Sequence, residues 1–143
     1  MVKNTEHGAL GVVDRWLTAI NAGDGPLVES LSHEQIEIVG PRGSGIADRS
    51  ALTEWLTRSG FSSRSVRWFC GGDGTVVVDQ DATWTDLRTG AAQECKRIGS
   101  QFQIRDGRVA KYVRFDEGVS AALSAAGLDE RRDLVAVGRS PGV

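Results

Sequence analysis

Apolar residues recur at every second position through three consecutive stretches of this chain, Thr75–Asp86, Ala92–Arg105 and Arg108–Phe115. In the first, Val76, Val78, Gln80, Ala82 and Trp84 share one face; in the second, Ile98, Ser100, Phe102 and Ile104 do. A period of two predicts half-buried strands, and the turns Arg88-Thr89-Gly90 and Arg105-Asp106-Gly107 predict that they form antiparallel hairpins. Gln80 and Ser100 interrupt otherwise apolar faces. Each needs a hydrogen-bond partner there, which makes them candidates for the lining of a pocket.

Before the strands the period changes. Ala9, Val12, Val13, Trp16, Leu17 and Ile20 fall at three- and four-residue spacing, predicting one helix from about Thr5 to Ala22 with Gly23 as its stop. Asp24 followed by Gly25-Pro26 predicts a capped second helix running to about Leu31. Ser32-His33-Glu34 reads as a turn, Gln35–Val39 as a short strand, and Pro41-Arg42-Gly43-Ser44-Gly45 as a glycine-rich loop without the Lys and helix context of a phosphate cradle. Asp48 or Ser50 caps a third helix carrying Leu52, Trp55 and Leu56 and ending near Gly60. Arg64–Cys70 is a further strand, with the facing of Trp68 open. Glu117–Ala126 is an Ala-rich last helix closed by Gly127, and 129–143 reads as a loosely docked tail. Helices gathered ahead of an antiparallel meander specify one α+β domain over residues 1–128, with helices on the concave face of a curved sheet and room for a cavity between.

Composition narrows the function classes. The chain has 143 residues, a formal net charge of -2 and a sequence pI of about 5.7, with Lys and Arg scattered, so neither nucleic acid nor an anionic membrane is an expected partner. No apolar run approaches the roughly 20 residues that span a bilayer, and the first seven residues lack the apolar segment of a secretory signal, so a soluble cytoplasmic protein is expected. Cys70 and Cys95 belong to no Cys/His cluster and read as packing thiols; no metal and no cofactor are expected. His7 and His33 have no visible partner and read as surface residues.

The segments Trp16-Leu-Thr-Ala-Ile-Asn-Ala-Gly-Asp24, Arg105-Asp-Gly-Arg-Val109 and Ala121-Ala-Leu-Ser-Ala-Ala-Gly-Leu128, in this order of elements, resemble the nuclear transport factor 2-like superfamily and within it the SnoaL-like (polyketide cyclase-like) branch. The resemblance spans about Glu6 to Leu128. It implies a cone-shaped, cystatin-like α+β barrel with a deep pocket, often a homodimer through the outer face of the sheet. It does not imply one reaction, since the superfamily hosts isomerases, dehydratases, hydrolases and cyclases. The positions that carry the Tyr and two Asp of ketosteroid isomerase fall here on Trp16, Gly40 and Ser100, so that mechanism is disfavoured.

Chemistry is sought instead on the last strand, where Tyr112, Arg114 and Asp116 share a face opposite Val113 and Phe115. If that face is the pocket, Arg114 holds an anionic or enolate-like oxygen, Tyr112 donates a hydrogen bond and Asp116 acts as base. The competing reading makes Asp116 the N-cap of the last helix. Trp16, Trp55 and Trp84 offer flat apolar walls or simply core. Two functions follow: an acid–base enzyme acting without cofactor on a small apolar organic molecule, or a non-catalytic ligand-binding or dimerisation module.

Overall fold

A computed structural model describes residues 2–40 and 43–128, with only the backbone of residues 2–7. The expected tail, 129–143, the Pro41-Arg42 part of the expected loop and the His7 side chain lie outside the described residues. The elements run α1 (Val2–Ala22), α2 (Gly25–Ser30), β1 (Ser32–Gly40), β2 (Gly43–Asp48), α3 (Ala51–Ser59), β3 (Phe61–Cys70), β4 (Thr75–Thr85), β5 (Ala92–Arg105), β6 (Arg108–Phe115) and α4 (Val119–Ala126). Six strands form one curved, unclosed sheet in the order β2-β1-β6-β5-β4-β3.

Local chemistry sets these boundaries. Asp24 accepts a hydrogen bond from the Leu27 amide at 3.2 Å, capping α2 with Pro26 in its first turn. Asp106 and Gly107 have φ of 54° and 74°, the doubly left-handed backbone of a type I′ turn, and they close the β5–β6 hairpin tightly. Ser50 stands at the N-cap of α3 but makes no side-chain cap bond; the Asp48 carboxylate accepts from the Ser50 amide instead.

The predicted faces hold. Ala9, Val12, Val13, Trp16, Leu17 and Ile20 of α1 pack with Val76, Val78, Ala82, Ile98, Phe102 and Tyr112 in the main core. Trp68, whose facing the sequence left open, joins the same core. Burying an aliphatic or aromatic side chain of this kind is worth roughly 1.5–3 kcal/mol, so the packing of α1 on the meander contributes substantially to stability.

Five features differ from expectation. Residues 43–45 are not loop: β2 pairs with β1 from Gln35↔Asp48 to Gly40↔Gly43, putting Ala47 on the inner face and Ile46, 70% exposed, on the outer. The backbone alternates even though the Gly-Ser-Gly side chains carry no apolar signal. Ser32-His33-Glu34 is not a turn but the start of β1, which lies parallel to β6 rather than antiparallel, with Ser32 opposite Val109. Helix α4 begins at Val119, not Glu117, and packs on the outer face against Phe69 and Val77, so helices cover both faces. Its N-cap is Gly118 with no side-chain bond, which removes the capping role expected of Asp116. Cys95, finally, is exposed rather than packed, and sits opposite Thr83 while Cys70 sits opposite Val76, too far along the sheet to be neighbours.

Gly99 explains how α4 comes so close. A Cβ at Gly99 would stand 2.7 Å from the Gly118 carbonyl oxygen and from Val119 Cα. Only the bare backbone allows the helix start to rest on β5.

Candidate functional site

The inner face of the sheet and helices α1 and α3 enclose a cavity of about 240 Å³ lined by Trp16, Ile38, Ala47, Leu52, Trp55, Phe61, Tyr112 and Arg114. Each reaches it for a local reason. Ile38 is opposite Tyr112 in the parallel β1–β6 pair, Trp16 comes from the buried stripe of α1, and Leu52 and Trp55 come from the inner face of α3. Among the described lining residues Arg114 is the only charged one.

A second, polar space of about 480 Å³ adjoins the first and shares Ile38, Gly40 and Arg114 with it; Trp84, Glu94, Lys96 and Asp116 complete its wall. It exists because β6 is shorter than β5. Pairing between them begins at Gly99↔Phe115, so residues 92–98 of β5 have no β6 partner and border a slot that Gly40 and Gly43 also line.

Arg114 stands where the two spaces meet. Its Nε donates to Asp116 Oδ1 at 2.8 Å and its Nη2 to Asp116 Oδ2 at 3.3 Å, while Lys96 Nζ reaches the same Oδ2 at 3.4 Å. The guanidinium also lies over the Trp84 ring, 5.0 Å from its centroid. Burial pushes the Asp116 carboxyl up, but the hydrogen bond and charge of Arg114, joined by Lys96, outweigh it and hold the group below its ordinary value. Asp116 is therefore an ionised, well-satisfied acceptor at neutral pH and a weak base.

Tyr112 is buried, and burial pushes its ionisation up against the smaller opposing effects of Ser100 and Arg114. Ser100 donates to Gln80 Oε1, and Gln80 Nε2 donates to Ser63 Oγ at 2.7 Å. Gln80 and Ser100 are thus satisfied by each other beneath Tyr112 and do not line either space, which corrects their expected place in a pocket wall. The polar interruptions in the sequence meet one another in a buried network.

Trp16 both packs and lines. It is 1% exposed, its Nε1 donates to Ser32 Oγ at 3.0 Å, and Ser32 donates on to the Val28 carbonyl at 2.8 Å, tying α1 to the start of β1. Trp55, Phe61 and Trp84 form a continuous aromatic wall, with centroids 6.1 Å and 5.3 Å apart, that runs from the inner cavity to the slot. His33 is half-buried, its Nε2 2.7 Å from the Arg105 carbonyl oxygen, away from both spaces.

Sequence reasoning missed Phe61, Ile38, Ala47 and Lys96. The signal for Lys96 was present: it has the same parity as Ile98 and Ser100 on β5 and so shares their inner face. Ala47 was hidden with the rest of β2.

Among the described residues no group of three or more His, Cys, Asp or Glu side chains is placed to hold a metal, and no helix is long and apolar enough to cross a membrane.

No family model matches the chain, and no curated protein matches it in sequence. Solved structures do match. An NTF2-like protein of unknown function from Cytophaga hutchinsonii superposes with a TM-score of 0.64 at 14% identity, over 75% of this chain and 88% of that one. A protein with a ketosteroid isomerase-like fold from Catenulispora acidiphila, in complex with trimethylamine, gives 0.62 at 14% identity over 82% and 93%. TerC, co-crystallised with polyporic acid, gives 0.63 at 20% identity over 82% and 96%. Ketosteroid isomerase-like and polyketide cyclase-like proteins are also among the matches. At these identities the likeness speaks for architecture, and it agrees with the six-stranded open sheet, its order and its helices: the chain has the nuclear transport factor 2-like fold.

Proposed function

We propose that this protein binds a small, flat, mostly apolar organic molecule in the cavity between α1, α3, β1 and β6, and that Arg114 reads a polar oxygen of that molecule. The observation that carries this reading is the lining itself, aromatic and aliphatic but for one guanidinium at its edge. Apolar walls with a few converging polar groups are the usual composition of a ligand site. The volume, about 240 Å³, lies below the roughly 300–1,000 Å³ of drug-sized pockets and suits a ligand of one or two rings.

Binding is favoured over catalysis. Of the three residues considered for acid–base chemistry, Asp116 is spent on Arg114 and Lys96, burial pushes the Tyr112 phenol toward staying protonated, and Arg114 keeps a donor for a ligand. A proton shuttle needs a base whose affinity for protons lies near the working pH, and the ion pairs move Asp116 the other way. The same fold holds an amine in one protein and stands with polyporic acid in another, so ligand chemistry follows the lining and not the architecture. Pairing with a second copy, if it uses the outer face, is left the part that α4 does not cover, where Arg64, Asp81 and Arg97 form a ladder of ion pairs; the mass in solution by light scattering tests that.

The test of the binding reading is a fluorescence titration with 2-acetonaphthone, a neutral two-ring ketone. Trp16 and Trp55 line the cavity, so saturable quenching is expected. Ala47→Trp, which fills the cavity from β2, is expected to abolish it while circular dichroism shows the fold intact. Unsaturable quenching, or quenching unchanged in the filled variant, overturns the reading.

A further inference from the structure

We propose that the slot beside the cavity is a carboxylate subsite, so that the ligand is a small aromatic or alicyclic acid whose ring fills the inner space and whose carboxylate sits between Arg114 and Lys96. This rests on the binding reading above and adds the charge of the ligand and a second contact residue.

The geometry of Arg114 is the first argument. Asp116 engages Nε and Nη2 side-on, and the stack on Trp84 holds the guanidinium plane. Among the described residues nothing accepts from Nη1. The side chain is 27% exposed and borders both spaces, so this remaining donor edge faces a ligand rather than a protein acceptor. A guanidinium already fixed in place loses little freedom when it binds, and its parallel N–H groups match a carboxylate.

The charge balance is the second. Arg114, Lys96 and Asp116 form a connected group with one net positive charge, and Lys96 uses one of its three ammonium donors on Asp116. Glu94 also borders the slot, but it is exposed, one inner-face position nearer the hairpin turn, where water and salt screen it. A monoanion completes the group; a cation meets Arg114 and Lys96 first. Lys96 reaches the slot because residues 92–98 of β5 are left without a strand partner on that side, so the gap in the sheet and the site are one feature.

The experiment compares 2-naphthoate, 2-acetonaphthone and 2-naphthylmethylammonium by tryptophan fluorescence at low and high salt. Naphthoate is expected to bind about tenfold or more tightly than the ketone, as one charge-assisted hydrogen bond implies, and the amine more weakly than both. Lys96→Gln is expected to cut the preference for naphthoate roughly threefold without changing ketone affinity, and Arg114→Gln to remove it. Lys96 is half-exposed, so its variant is expected to fold. Equal affinity for naphthoate and ketone overturns the carboxylate subsite while leaving the cavity reading standing. Failure of all three to bind overturns the cavity reading itself. A preference that survives Lys96→Gln undiminished removes Lys96 from the site.

Discussion

Arg114 lies over the ring of Trp84, 5.0 Å from its centroid, and Trp84 in turn leans on Phe61 at 5.3 Å, so this charged residue of the cavity edge is seated on an aromatic wall. A cation on an indole face gains roughly 0.5–1 kcal/mol where water still reaches it. Trp84→Ala is expected to destabilise the protein by about 2–3 kcal/mol, since it removes this contact and part of a hydrophobic cluster; Trp84→Phe is expected to cost about 1 kcal/mol or less. Urea unfolding of the two variants measures both. Equal losses would mean that a phenyl ring cannot replace the indole beneath Arg114, and would overturn this ordering.

The Asp116 ion pairs give a signed dependence on acid. Because the folded protein holds this carboxylate below its ordinary value of about 3.9, unfolding takes up a proton as pH falls through that range. The stabilisation is therefore complete above pH of about 4 and is lost as pH drops through the lowered native value. Asp116→Asn is expected to cost on the order of 0.5–1 kcal/mol at pH 7 and close to nothing at the acid end, so the two stability curves converge downward in pH. Parallel curves would contradict this assignment.

Tyr112 is the only tyrosine in the chain, so its phenol can be titrated by ultraviolet absorbance without overlap. Burial raises its ionisation above the ordinary value of about 10, against the smaller help of Ser100 and Arg114. A group with a raised native value stabilises the fold fully below its unfolded value, and that contribution is lost as pH rises toward the native one. Absorbance at the phenolate band is expected to stay flat past pH 10 and then rise together with loss of structure. Tyr112→Phe is expected to cost no more than about 1.5 kcal/mol, the net worth of one hydrogen bond of the hydroxyl.

Gly99→Val is expected to unseat α4. The added side chain would enter the 2.7 Å approach to Gly118 and Val119, where only backbone atoms could give way. A loss of about 2–3 kcal/mol is expected, with hydrogen exchange quickened in residues 119–126 and unchanged in α1. Gly99→Ala is expected to show the same pattern at smaller size.

Most of the architecture was legible because long periodic segments are overdetermined. Val76, Val78, Ala82 and Trp84 of β4 share one face at even spacing, the α1 stripe recurs over about three turns, and each hairpin carries its own turn signal. β2 escaped because Gly43, Ser44 and Gly45 carry no apolar side chain by which to show a period, and its strand character comes from pairing with β1. The parallel β1–β6 contact escaped for another reason: no local pattern encodes a partner on the far side of the chain.

At the site, parity put Tyr112 and Arg114 on one face of β6 opposite Val113 and Phe115 but left open which face is inner, and it could not say what each polar group would meet. Gln80 and Ser100 look alike in sequence to residues that contact a ligand, and their mutual hydrogen bond appears only when β4 and β5 are laid side by side with Ser63 above them. Asp116 shows the limit most plainly. Its position before Gly118 fits a helix cap, but a guanidinium two residues earlier on the same strand face offered a stronger partner.

The parallel pairing of β1 with β6 also fixes when the cavity can come into being. Ser32 meets Val109 and Ile38 meets Tyr112, so the wall beside Trp16 closes only after nearly all of the chain is available. Contacts this distant in sequence make folding slow, because the intervening loop must be ordered before any reward arrives. On the ribosome, α1, α2 and the β1–β2 hairpin emerge with Trp16 still lacking the rings of Phe102 and Tyr112 and Ile38 lacking Tyr112, and the meander of β3 to β5 can assemble first. The last strand then acts as the closing stitch, and a chain truncated before Arg108 is expected to lose its ligand site and its solubility together.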